Sequence, residues 1–93
     1  MRRLKVPHEI AALVRTMHPE LKRKLRAALG SVLSGSASGK ALKDELAGLR
    51  SLRVGRYRVI YREAGKDLEI VAIGPRARIY EETYRAVRKG AKG

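Results

Sequence analysis

The chain has 93 residues, with 22 Lys and Arg against 9 Asp and Glu and a formal charge of +13. It has no Cys, which excludes disulfides, thiolate metal sites and a cysteine nucleophile, and no apolar run long enough to span a bilayer, so a soluble cytoplasmic protein is expected. A chain this short buries only ~60–65% of its unfolded surface, so one domain spanning residues 1–93 with modest stability is expected, and its charge points to polyanionic partners such as nucleic acid or an acidic protein.

Arg2 to Val6 alternates polar and apolar residues and reads as a short first strand ended by Pro7. Ile10, Leu13, Val14 and Met17 recur at helical spacing and give a first helix, which Pro7 suits at its start. His18-Pro19 marks a turn. Leu21, Leu25, Ala28, Leu29 and Val32 then define a second helix whose opposite side carries Lys22, Arg23, Lys24 and Arg26. The two helices form a hairpin that needs a sheet to cover its apolar stripe. Both histidines flank prolines at helix starts, where turn or capping roles outweigh acid-base chemistry.

Ser34 to Gly39 has nothing to bury and is expected to be a mobile loop within the domain. Lys40 to Leu49 carries Leu42, Leu46 and Leu49, a pattern that fits either a helical turn or an extended strip across the core.

Arg50 to Arg62 alternates arginine with Val, Ile and Tyr around a single glycine and reads as a β-hairpin. Gly55 as the first residue of a two-residue loop suits a type II′ turn. That register sets Val54 opposite Tyr57, Arg53 opposite Arg58, Leu52 opposite Val59 and Ser51 opposite Ile60. Two guanidinium groups then spring from opposed positions, which is unfavourable unless an anion lies between them.

Ala64-Gly65-Lys66-Asp67 makes a second turn into a strand over Leu68 to Gly74, with a four-residue loop that pairs Arg62 with Glu69, Ile60 with Val71 and Arg58 with Ile73. One face of the sheet then holds Leu52, Val54, Tyr57, Val59, Tyr61, Leu68, Ile70 and Ala72. The other holds Arg53, Arg58 and Arg62 around Ile60, Val71 and Ile73, a mixed patch that suits a binding surface or the packing of a last helix. Gly74-Pro75 stops the strand. Ile79, Thr83, Tyr84 and Val87 form the inner stripe of a closing helix, Lys89 and Gly90 end it, and residues 90–93 are expected to be a disordered tail.

Arg53 and Arg58 on the sheet, with Arg76 and Arg78 entering past the neighbouring strand, gather guanidinium groups around one phosphate. Arginine gives planar forked donors and stabilises the extra charge of a pentavalent transition state, but it cannot take a proton. Tyr80, a few residues from Arg76, is the best placed group for proton transfer. No metal-ligand spacing or phosphate-cradling glycine loop is present, and neither a metal nor a cofactor is expected.

The order strand, helix, helix, three strands, helix, with Leu52-Arg53-Val54-Gly55-Arg56-Tyr57-Arg58-Val59-Ile60-Tyr61 and Gly74-Pro75-Arg76-Ala77-Arg78-Ile79-Tyr80, resembles the RelE/ParE toxin superfamily over nearly the whole chain. The resemblance implies an α+β fold, a small antiparallel-rich sheet on an N-terminal helical hairpin. It also implies a toxin of a type II toxin-antitoxin system, neutralised by a cognate acidic antitoxin. RelE-like members cleave mRNA in the ribosomal A site and ParE-like members inhibit DNA gyrase; the RelE-like branch is the expectation here. Carried over by position, the catalytic set is Arg58, Arg76 and Tyr80, and Arg50, Arg53, Arg56, Arg78 and Lys43 are expected as RNA-binding cations. The two strand lysines of RelE fall at Leu49 and Ser51, which leaves catalysis weakened, resting on Tyr80, or lost.

Overall fold

The computed structural model describes residues 3–75 and Ile79. Strand β1 (Arg3–Lys5) leads into helix α1 (His8–Arg15) and helix α2 (Pro19–Leu33). Strand β2 (Lys40–Ala41), a single 3₁₀ turn (Asp44–Leu46) and strands β3 (Leu49–Val54), β4 (Tyr57–Ala64) and β5 (Asp67–Pro75) follow. The sheet order is β1-β5-β4-β3-β2, with β1 parallel to β5 and every other pairing antiparallel.

The helical hairpin forms where the sequence places it, and its corner is set by local chemistry. His18 is the N-cap of α2, its Nδ1 accepting the Glu20 backbone N–H at 3.2 Å, and Pro19 occupies the first helical position. Proline costs nothing there because that N–H has no helical partner. The apolar stripe of α2, Leu25, Leu29 and Val32, is buried on the sheet against Val54, Val59, Tyr61, Leu68, Ile70 and Ile73.

The Lys40 to Leu49 stretch, which fits two conformations by pattern, uses both. Lys40 and Ala41 pair with Ser51 and Arg50 as a second sheet edge, and the 3₁₀ turn then returns the chain so that Leu42 and Leu46 pack with Leu49, Ile60, Ala72 and Ile79. The second sheet face therefore has its own small core. The Ser34–Gly39 segment is stitched to the end of α2 by Ser36 and Ala37 backbone N–H bonds to the Ser31 carbonyl. It also has something to bury, since Gly39 lies inside the fold.

The β3–β4 hairpin has the expected register throughout, from Ser51 opposite Ile60 to Val54 opposite Tyr57. Gly55 has φ +60°, and Arg56 is not among the left-handed residues, which is the type II′ pattern. The β4–β5 hairpin departs from expectation in two ways. Pairing continues to Ala64 opposite Asp67, so the loop has two residues, Gly65 and Lys66, and not four. A bulge then follows: Tyr61 pairs with Ile70 but Ile60 pairs with Ala72, leaving Val71 as the extra residue. Since side chains alternate along a strand, the insertion exchanges the faces of the next two residues. Ile73 joins the helix-side core and Ala72 the opposite one, the reverse of the expected placement.

Candidate functional site

Arg53 and Arg58 are directly paired across β3 and β4, next to the turn. With Gly55, Arg56 and Tyr57 they line an open pocket of about 270 Å³. Arg53 and Arg56 are exposed, whereas Arg58 is half-buried. Among the described residues no acidic side chain lines this pocket. Three arginines thus converge with no carboxylate among the described lining residues to balance them, the arrangement expected of an anion site.

The half-buried guanidinium is held from below. Arg58 Nη1 donates to Ser51 Oγ at 3.1 Å, and Ser51 is 3% exposed. The neighbouring Arg58 Nε–H is buried and, among the described residues, has no acceptor. An unmet buried donor on a cation costs on the order of 1–3 kcal/mol.

Arg50 stands apart from this group. It alternates to the other sheet face, opposite Tyr61, and its Nη1 donates to the Gly39 carbonyl at 3.0 Å. Gly39 in turn donates its N–H to the Tyr61 hydroxyl at 2.6 Å. A Cβ at position 39 would sit 2.8 Å from the Ser51 carbonyl oxygen and 2.9 Å from Tyr61 Oη, so only glycine fits. Lys43 is exposed beside the 3₁₀ turn and does not line the pocket. Arg62 bonds Glu69 at 2.8 Å, as its pairing implies. Arg76, Arg78 and Tyr80 lie outside the described residues, as does the rest of the expected closing helix apart from Ile79.

Leu49 and Ser51, where the resemblance noted from sequence would put strand lysines, are both buried on the pocket's side of the sheet, Leu49 in the second core and Ser51 beneath Arg58. The mixed patch expected around Ile60 is not a surface: Ile60 is fully buried and Ile73 faces the helices. The largely apolar cleft lies elsewhere. Leu4, Val6, Ile10, Val14, Leu29 and Ile70 contribute to a cleft of about 430 Å³ between β1, the helical hairpin and the sheet, and alternation alone could not foresee it because it depends on how the hairpin tilts over β5. Among the described residues no cluster of His, Asp and Glu could hold a metal ion, and no helix is long and apolar enough to cross a membrane.

Comparison with known proteins places the fold. The family model described as the ParE toxin of the type II toxin-antitoxin system, parDE, matches residues 5–80. The chain belongs to that family of toxins. Among solved structures, an arginine-substituted variant of Escherichia coli RelE in the free state is similar with a TM-score of 0.73 and 17% identity, covering 95% of this chain and 96% of that one. A chain of the RelBE2 toxin-antitoxin complex from Mycobacterium tuberculosis gives 0.68 and 24%, covering 81% and 98%. A chain of the archaeal RelE-RelB complex from Pyrococcus horikoshii gives 0.62 and 23%, covering 83% and 97%. At these identities the likeness is one of fold, and it agrees with the α+β architecture expected from sequence. No curated protein sequence matches.

Proposed function

We propose that this toxin is a ribosome-dependent mRNA endoribonuclease whose Arg53–Arg58 pocket grips the scissile phosphate. The observation that carries the reading is the buried, acceptor-less Arg58 Nε–H beside a second, exposed guanidinium. In the reaction, the RNA 2′-hydroxyl loses its proton and attacks the adjacent phosphorus, and the 5′-oxygen leaves with a proton, giving a 2′,3′-cyclic phosphate. Negative charge on the non-bridging oxygens rises towards the transition state, and fixed guanidinium donors stabilise it more there than in the ground state. Arginine does not exchange protons at neutral pH, so that work falls to a different group, and Tyr80 is the residue assigned to it. Arg76 and Arg78 supply further charge in this scheme.

A cognate antitoxin completes the system. Its acidic segment neutralises the pocket, and its apolar side chains fill the cleft beside Leu4 and Val6, in place of the buried Ile60 region. The protein works in the cytoplasm, where ribosomes and message are found.

The ribonuclease reading is tested by mapping mRNA 3′ ends after incubation with programmed ribosomes. New ends in A-site codons support it, and intact message under conditions where RelE cuts overturns it. Two observations favour a second reading, inhibition of DNA gyrase: the family model is that of ParE, and buried Leu49 and Ser51 stand where the resemblance to RelE would put lysines. That reading predicts blocked supercoiling with uncut message.

A further inference from the structure

The arginine pocket is not isolated. A second cleft of about 510 Å³ opens between the start of α2 and the tip of the hairpin, and the two share Gly55, Arg56 and Tyr57 as a common wall. The far side of the second cleft presents His18, Glu20 and Lys24. Tyr57 is half-buried and is held in place on three sides: by pairing to Val54 and Pro75, and by Met17 and Leu21, which line one small gap with it. A fixed, partly exposed aromatic between two cation-bearing clefts has the form of a stacking platform on a nucleic-acid path.

We propose that this second cleft is an RNA subsite, in which Tyr57 stacks a base next to the phosphate held by Arg53 and Arg58, while Lys24 and Arg56 hold the following phosphate. The inference rests on the RNA reading above. His18 contributes a donor: its Nδ1 accepts the Glu20 N–H, which leaves Nε2 as the nitrogen that carries hydrogen. Among the described residues Glu20 supplies the one negative charge in the cleft, and it opposes a phosphate there.

The test is anisotropy of a dye-labelled single-stranded hexaribonucleotide, 2′-O-methylated to block cleavage, titrated with the full chain. Tyr57→Leu is expected to weaken binding roughly five- to a hundredfold, and an abasic oligomer of the same length is expected to be indifferent to it. Lys24→Gln weakens binding less and reduces the slope against log salt by about 0.7. Glu20→Gln strengthens it. If Tyr57→Leu unfolds by circular dichroism, Lys24→Gln carries the test against Lys66→Gln, an exposed lysine outside the cleft, and equal losses in the two overturn the subsite. Wild-type affinity in Lys24→Gln and Glu20→Gln with loss in Arg58→Ala overturns the subsite and leaves the phosphate pocket standing. No RNA binding by the wild-type protein, or binding that Arg58→Ala leaves untouched, overturns both.

Discussion

Arg58 Nη1 donates to the buried Ser51 hydroxyl at 3.1 Å, across the strand pair that also sets Arg58 opposite Arg53. The contact orients a guanidinium whose Nε–H has no acceptor among the described residues. A residue that fixes a cation and leaves one of its donors free is preorganised for a ligand, since little rotamer entropy remains to be lost on binding.

Arg58→Ala is therefore expected to slow mRNA cleavage by about 10²–10³-fold, the usual consequence of losing one preorganised donor to a developing oxyanion. Arg58→Lys restores charge but neither the fork nor the Nε–H, and should recover only a minor part of the rate. Quantifying cleaved ends on programmed ribosomes at saturating toxin checks both.

Ser51→Ala removes the acceptor beneath Arg58 without removing a cation. It should lower stability by about 1 kcal/mol, read as a shifted urea midpoint, and weaken substrate engagement through a looser guanidinium. Ser51→Thr keeps a hydroxyl and should recover the substrate effect more fully than Ala does.

Gly39→Ala addresses the other face. The added carbon meets the Ser51 carbonyl oxygen at 2.8 Å, so β2 must shift, at a cost of roughly 1–3 kcal/mol. Tyr61→Phe strands the Gly39 N–H, which has its acceptor in the Tyr61 hydroxyl, for a similar loss. Urea titration of both variants checks the magnitudes, and Tyr61→Phe that folds should retain its per-molecule cleavage rate.

Glu69→Ala removes the partner of Arg62, whose side chain is 52% exposed. An ion pair so solvated contributes less than about 1 kcal/mol and less again in salt. Thermal unfolding at low and high ionic strength should show a small difference at the first and none at the second.

Sequence made the β3–β4 hairpin legible because polar and apolar residues alternate there about a glycine that a two-residue turn requires. The bulge after Tyr61 left no such trace. Val71, Ala72 and Ile73 are all apolar, so shifting them by one position changes no visible pattern while exchanging two faces of the sheet. Gly39 reads as one more residue of a Ser-Gly run, and its burial depends on Tyr61, 22 positions away. Arg50 is a different matter: it stands three residues from Arg53 on one strand, so simple alternation already assigned the two to opposite faces. Grouping arginines by composition alone hid that.

The most direct test of the central claim is the side-chain NMR signal of Arg58 Nε–H in the full chain, followed as a 2′-O-methylated RNA trinucleotide is added. A phosphate accepted in the pocket moves that resonance downfield and slows its exchange with water, and Arg53→Ala weakens the response. A resonance that stays unchanged at saturating RNA contradicts the account.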